Sequence, residues 1–132
     1  MFNPDAFIDI SRSFSGSGRN EAEYRTAIGR ALYGVFLRAR EELEVRGARV
    51  KVLDPSRRGD EHAKVRAQFK RGGKFPHDKV SQRFGSLYEL RYKSDYNLDA
   101  TVNQQDVLQA LEYVKYIQEA FATTLFKNPP DA

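Results

Sequence analysis

A basic and an acidic side chain, Arg91 and Asp95, are spaced one helical turn apart along an otherwise apolar stripe. Val80, Phe84 and Leu87 follow the i, i+4, i+7 spacing of an amphipathic helix, and Arg91 takes the next position on that face. An arginine on a core-facing position must pair with an acid or extend to solvent, because an unpaired buried charge is costly. Two interpretations follow: an ion pair that holds helices together, or an arginine at a cleft that binds a phosphate.

His62 and Tyr96 are the other titratable side chains that we consider for chemistry. Histidine titrates near neutral pH and is therefore suited to proton transfer. A lone histidine near a helix start is nevertheless more often a cap or a surface residue, and His77, directly after Pro76, is a weaker candidate still. A tyrosine hydroxyl is a poor general base at neutral pH, although it can donate a hydrogen bond to a phosphate.

Positive charge is concentrated between residues 46 and 74. The chain has a formal net charge of +4, but this segment holds ten Lys or Arg against three acidic residues, which leaves the rest of the chain net negative. A localised basic patch is typical of a surface that binds a polyanion, and a solvated, merely solubilising surface is the alternative. The cations that we predict to bind RNA or phosphate are Arg57, Arg58, Lys64, Arg66, Lys70 and Arg71.

The composition excludes several classes of protein. There is no cysteine, which rules out disulfides and thiolate metal sites, and two histidines are too few for a histidine-rich metal centre. We therefore predict no metal and no cofactor. The chain has no apolar run long enough to cross a membrane, and the residues at its start do not resemble a secretory leader. These features predict a cytoplasmic protein that does not bind membranes.

Apolar spacing predicts helices over residues 4–14, 20–46, 60–71, 76–96 and 103–125. Asn20, followed by Glu23, has the spacing of a capping box, and Asn103 is placed to cap the last helix. Gly47 is a natural stop for the second helix. The pairs at 72–73 (Gly-Gly) and 129–130 (Pro-Pro) mark the ends of the third and fifth helices.

The pattern favours an all-α protein built as an up-and-down bundle of four to five helices. No segment alternates between apolar and polar residues with the period of a strand. A chain of 132 residues is enough for one domain, so we predict a single domain over residues 1–132. Its core is expected within residues 19–126, and residues 127–132 are expected to form a flexible tail.

Three short motifs in this order resemble those of HEPN domains (higher eukaryotes and prokaryotes nucleotide-binding). Residues 30–36, RALYGVF, look like the family's Arg-x-x-Tyr-x-x-Phe helix, and His62 matches the histidine that opens its next helix. Residues 87–96, LYELRYKSDY, resemble its Leu-x-x-Leu-Arg-x-x-Ala-Asp-Tyr motif, with Ser94 at the alanine position. The resemblance extends over roughly residues 20–125 and implies a HEPN-like bundle, which agrees with the all-helical pattern.

The resemblance also implies a function and partners. The family typically forms dimers, and it includes metal-independent ribonucleases of toxin–antitoxin and antiphage-defence systems. In these the motif arginine holds the scissile phosphate, while a histidine four to six residues later helps to activate the ribose 2′-hydroxyl. Other members act beside a minimal nucleotidyltransferase or serve as scaffolds. The expected site is therefore Arg91, with His62, Asp95 and Tyr96 around it, in a homodimer that binds RNA or a nucleotide.

The sequence departs from the ribonuclease pattern at the histidine. Tyr96 follows the four-residue spacer after Arg91, and no histidine occurs further along the chain. Three hypotheses stay open: a protein that binds RNA or a nucleotide without cleaving it, an active metal-independent ribonuclease, and a non-catalytic helical subunit of a nucleotidyltransferase or another protein. The incomplete motif makes us prefer binding over cleavage.

Overall fold

A computed structural model of the chain describes residues 2–57 and 59–130. The regular structure of these residues is helical. Within those residues there is no strand, so the predicted all-α class is confirmed. Two short elements add to the α-helices: a 3-10 turn at Pro55–Arg57 and a π-helical turn at Phe121–Leu125. The α-helices are α1 (Asp5–Ser13), α2 (Glu21–Val45), α3 (Gly59–Phe69), α4 (Asp78–Tyr96) and α5 (Gln104–Ala120).

The long helix α2 is the centre of the bundle and packs against each of the other four. Helices α4 and α5 also pack against one another, and α3 packs on α4. The apolar face predicted for α2 is buried along its whole length, because this helix has neighbours on several sides. Its buried residues include Tyr24, Ala27, Ile28, Ala31, Leu32, Val35, Phe36, Ala39 and Leu43.

Local capping signals set most helix boundaries as predicted. The Asn20 side chain accepts a hydrogen bond from the Glu23 amide, and the Glu23 carboxylate accepts one from the Asn20 amide, which completes the capping box. Asn103 and Asp106 form the same arrangement at the start of α5. Gly47 follows α2 with φ of +86°, a left-handed conformation that glycine adopts without strain.

The boundaries of α3 and α4 differ from the prediction. Helix α3 ends at Phe69, two residues earlier than predicted, and Gly72 follows with φ of +89°. Helix α4 is not opened by Pro76. His77 is its N-cap, and its ring Nδ1 accepts a hydrogen bond from the Val80 amide at 3.2 Å. An imidazole acceptor can satisfy a free amide at a helix start as a hydroxyl does, which gives His77 a structural role.

Helix α1 belongs to the core, which therefore begins earlier in the chain than residue 19. Ile8 is completely buried, and α1 packs closely along α2. The contact is tight at Gly34, where a Cβ atom would lie 2.7 Å from Ile8 Cγ1 and 3.1 Å from the Pro4 carbonyl oxygen. A glycine is thus required for α1 to lie this near to α2.

The remaining core comes from α3, α4 and α5. Val65 and Phe69 of α3 are completely buried. The predicted stripe of α4 is also buried at its three apolar positions, up to Leu87. On α5, Leu108 is exposed, because it lies off the face that meets α2 and α4. In the described part of the chain no helix has the length and apolarity needed to cross a membrane.

Candidate functional site

A cleft of about 330 Å³ opens where α2, α3 and α4 meet, and three predicted site residues line it. These are Arg91, His62 and Asp95, which come from α3 and α4. The cleft also contains residues of α2 that were not predicted as site residues, and among them is a second arginine. The full lining is Thr26, Gly29, Arg30, Leu32, Tyr33, His62, Arg91 and Asp95.

Arg91 and Asp95 form an ion pair that is open to solvent. Arg91 Nε donates to Asp95 Oδ2 at 3.1 Å, and the two side chains are 37% and 36% exposed. Among the described residues, neither Nη group of Arg91 has a hydrogen-bond partner. An i, i+4 pair at this exposure contributes about 0.5 kcal/mol, too little to hold helices together. The pair therefore orients the guanidinium in the cleft and leaves most of its donors free.

Arg30 is held in the cleft by aromatic rings. Its guanidinium lies 5.2 Å from the centroid of the Phe7 ring and 5.0 Å from that of Tyr33. No carboxylate forms an ion pair with it among the described residues. Contact with the electron-rich ring faces restrains the side chain without neutralising its charge. The resemblance motif contained Arg30 and Tyr33, but Phe7 comes from α1, and this contact could not be read from the sequence.

His62 is a neutral, partly buried imidazole. Its ring stacks on Phe36 with centroids 3.9 Å apart, and its Nδ1 forms a close hydrogen bond with the Tyr88 hydroxyl. Burial, together with the positive charge of Arg91, lowers the pKa of His62 to about 4. Burial also raises the pKa of the Tyr88 hydroxyl, which stays protonated. His62 therefore adds hydrogen bonding rather than charge to the cleft at neutral pH.

Tyr96, the fourth predicted catalytic residue, is not among the residues that line the cleft. Its ring packs against Tyr92 with centroids 5.4 Å apart, and it is 63% exposed. Asp95 and Tyr96 are adjacent in α4, but successive helical residues point about 100° apart. The cleft thus unites His62, Arg91 and Asp95, while Tyr96 lies on the outer surface.

The predicted RNA-binding cations do not form one uniform patch. Arg57 Nε pairs with Asp60 Oδ2 at 3.0 Å, whereas Arg66 lies over the Tyr88 ring at 4.8 Å. Arg58 lies outside the described residues. Three remaining cations are exposed and form no ion pair with another described residue: Lys64, Lys70 and Arg71.

Arg25, which the sequence analysis did not single out, fixes the end of α4 that carries Asp95. Its guanidinium donates to the carbonyl oxygens of Ser94 and Ala100 at 2.9 and 2.6 Å, and also to those of Lys93 and Asn97. The last carbonyls of a helix have no partner within the helix, so a cation from α2 is well suited to cap them. This contact sets the position of α4 against α2 beside the cleft.

The charges in the cleft favour an anion. Two arginines face one carboxylate and a neutral imidazole, so the site carries a net positive charge near neutral pH. A guanidinium binds two oxygens of a phosphate or carboxylate through parallel N–H groups. Within the described residues, no group of three histidine, cysteine or acidic side chains is placed to hold a metal ion.

The chain is similar to the uncharacterized protein MJ0992 of Methanocaldococcus jannaschii. The two are 28% identical over 141 aligned positions, which cover 98% of this chain and 80% of the relative. No family model and no solved structure matches the chain. The relative's name states no activity.

Proposed function

We propose that the protein is a HEPN-like RNA- or nucleotide-binding protein of toxin–antitoxin or antiphage-defence type, and that the cleft binds a phosphate of its ligand. The convergence of Arg30 and Arg91 on one cleft carries this proposal. Both guanidinium groups are oriented by neighbours, and Arg30 keeps its charge unpaired among the described residues. The exposed cations Lys64, Lys70 and Arg71 would guide a polyanion toward the site.

Removing one cleft arginine tests the proposal. Arg91→Ala should weaken binding of single-stranded RNA by about 10- to 150-fold, because a charge-assisted hydrogen bond contributes about 1.5–3 kcal/mol. Fluorescence anisotropy at low salt measures this change. Arg38→Ala is the matched control, since Arg38 is a half-exposed arginine on α2 that pairs with Glu42 outside the cleft. If wild type binds neither RNA nor nucleotides at low salt, the proposed function is wrong.

A thermal melt of Arg91→Ala separates this function from a purely structural role. The Arg91–Asp95 pair is exposed, so its loss should lower the free energy of unfolding by no more than about 0.5 kcal/mol. A structural pair would instead leave Asp95 uncompensated and destabilise the fold by several kcal/mol. Strong destabilisation of Arg91→Ala with unchanged RNA affinity would favour the hypothesis that the protein is a non-catalytic helical subunit of another protein, and not an RNA-binding protein.

Ribonuclease activity is the second candidate, because an unprotonated imidazole lies beside Arg91 in the cleft. In this reaction His62 accepts the proton of a ribose 2′-hydroxyl, whose oxygen attacks the adjacent phosphorus. The bond to the 5′-oxygen breaks, that oxygen takes a proton from water and leaves as a hydroxyl, and a 2′,3′-cyclic phosphate remains; the hydroxide formed takes the proton held by His62. Arg91 would bind the phosphate oxygens as negative charge develops.

Cleavage is tested by incubating the protein with RNA in EDTA and identifying the product ends. The candidate predicts 2′,3′-cyclic phosphate ends, and it predicts their loss in both His62→Gln and Arg91→Ala. Cleavage that persists unchanged in Arg91→Ala would identify a contaminating nuclease and reject this candidate.

A homodimer is part of the proposal. Leu98 follows closely after Asp95 in the chain and is 84% exposed, and Tyr96 is exposed beside it. Exposed apolar side chains at the end of a helix are suited to contact with a second copy. Sedimentation velocity should therefore give a dimer for the wild type and a monomer for Leu98→Asp, and a monomeric wild type would contradict this part of the proposal.

A further inference from the structure

A second depression of about 440 Å³ lies between α3 and α4. It is open to solvent and falls within the size range of sites that hold small ligands. We call it the α3–α4 groove. Tyr88 links it to the cleft, because the Tyr88 ring lines the groove while its hydroxyl contacts His62. The residues of the groove are Arg66, Gly85, Tyr88, Glu89 and Tyr92.

Gly85 and Arg66 give the groove its shape. A Cβ atom at Gly85 would lie 3.3 Å from Arg66 Nη2, closer than is usual, so glycine leaves room for the guanidinium. Arg66 lies over the Tyr88 ring, 4.8 Å from the centroid. Its Nε is buried and has no hydrogen-bond partner in the described part of the chain. The guanidinium is thus held against the Tyr88 ring and forms one wall of the groove.

Tyr92 supplies an exposed aromatic face. It follows Tyr88 by one helical turn and is 67% exposed. Its only aromatic neighbour among the described residues is Tyr96, which packs at a tilt of 45°. Exposed aromatic rings of this kind stack on the bases of single-stranded nucleic acids.

The charge of Glu89 indicates that the groove binds a nucleobase rather than a phosphate. It is exposed and forms no ion pair with another described residue, so its carboxylate repels anions and accepts N–H donors. One carboxylate, one guanidinium and two aromatic rings fit a flat, uncharged ligand. Guanine presents two adjacent N–H groups on its Watson–Crick edge, which match the two oxygens of a carboxylate.

We propose that the α3–α4 groove binds a nucleobase of single-stranded RNA, with a preference for guanine, while the cleft holds a neighbouring phosphate. This inference rests on the proposed RNA binding and adds base selection to it. Tyr92 stacks on the base, Glu89 accepts its two N–H groups, and Arg66 can donate to a carbonyl oxygen of the base. Tyr88 and His62 connect the base site with the phosphate site.

The test compares short uridine oligonucleotides that carry a single guanine, adenine or cytosine, or none, by fluorescence anisotropy. Wild type should bind the guanine oligonucleotide about tenfold more tightly than the others. Tyr92→Ala should lose this advantage and Tyr92→Phe should keep it, since the ring rather than the hydroxyl stacks. Glu89→Gln should also lose it, because an amide offers one acceptor only. Glu112→Gln, an exposed glutamate on α5, is the matched control.

The outcomes separate this inference from the proposed function. If Arg91→Ala weakens every oligonucleotide while the Tyr92 and Glu89 variants bind like wild type, the cleft binds RNA and the base site is rejected. If sedimentation shows that Tyr92→Ala alters self-association and leaves RNA affinity unchanged, the groove binds protein and the inference is again overturned. If neither Arg91→Ala nor Tyr92→Ala changes RNA affinity, both proposals fail.

Discussion

The two arginines of the cleft are held in different ways. Arg91 is restrained by a carboxylate, which offsets part of its charge. Arg30 is restrained by the rings of Phe7 and Tyr33, which leave its charge intact. Arg30 should therefore contribute at least as much to anion binding as Arg91, although the sequence analysis assigned the site to Arg91.

The buried position of His62 predicts a pH-dependent stability. The pKa of this histidine is about 4 in the folded protein and about 6.5 in an unfolded chain. Between these values the unfolded chain binds the proton and the folded protein does not. The free energy of unfolding is therefore unaffected by His62 above pH 6.5, and it decreases as the pH drops toward 4. After screening by solvent, we expect a loss of about 1 kcal/mol by about pH 5.

Urea unfolding near pH 7 and near pH 5 measures this loss. The comparison protein is His62→Phe, which keeps a ring on Phe36 and has no titratable side chain at position 62. The stability of the wild type should fall more between the two pH values than that of His62→Phe, because contributions from carboxylates are common to both. Equal losses in the two proteins would show that His62 is not a buried neutral imidazole.

The cleft depends on helix α1 lying close against helix α2. Phe7 of α1 contacts Arg30, and the approach of the two helices is limited by Gly34. Gly34→Ala should therefore destabilise the fold by about 2 kcal/mol through overpacking against Ile8. Gly29 is the matched control on the same helix, because a Cβ atom there would lie 3.8 Å from Asp95 Oδ1, an ordinary contact.

Urea unfolding of the two glycine variants checks this packing. Gly29→Ala should be neutral or stabilising by up to about 1 kcal/mol, since alanine favours helix more than glycine does. If Gly34→Ala were as stable as Gly29→Ala, α1 would not pack as the structure has it. The position of Arg30 would then need another explanation.

The sequence predicts the five helices well but only part of the cleft, because helix caps are local whereas the contacts that shape the cleft join distant segments. Caps such as Asn20 and Asn103 depend on residues within one turn, so their spacing is visible in the chain. The contact of Phe7 with Arg30 and the bond of Arg25 to the end of α4 join distant segments. No local pattern encodes such contacts. His62 and Arg91 lie in one cleft, but they come from different helices, and the spacing of the residues does not encode that proximity.

The charge of the whole protein should govern its affinity for RNA. The net charge of +4 and the exposed cations Lys70 and Arg71 predict an affinity that falls as salt concentration rises. In Lys70→Gln/Arg71→Gln the slope of log K against log salt should become smaller by about 1–2. Anisotropy titrations over a series of salt concentrations measure the slope.

The matched control is Lys115→Gln, a change at an exposed lysine on α5, away from the predicted basic segment. Its slope of log K against log salt should be close to that of the wild type, because the lost lysine contributes only a weak long-range attraction to RNA. If the Lys70→Gln/Arg71→Gln protein kept the wild-type slope, the basic segment would not contact RNA, whereas the cleft could still do so.

We propose that Arg30 and Arg91 together bind the phosphate of an RNA ligand in the cleft. The most direct test is to record the side-chain Nε–H resonances of the arginines by NMR while single-stranded RNA is added, with assignments from Arg→Lys variants. The resonances of Arg30 and Arg91 should shift together and saturate, and that of Arg38, paired with Glu42, should stay in place. Binding of RNA that leaves the Arg30 and Arg91 resonances unmoved would contradict the claim.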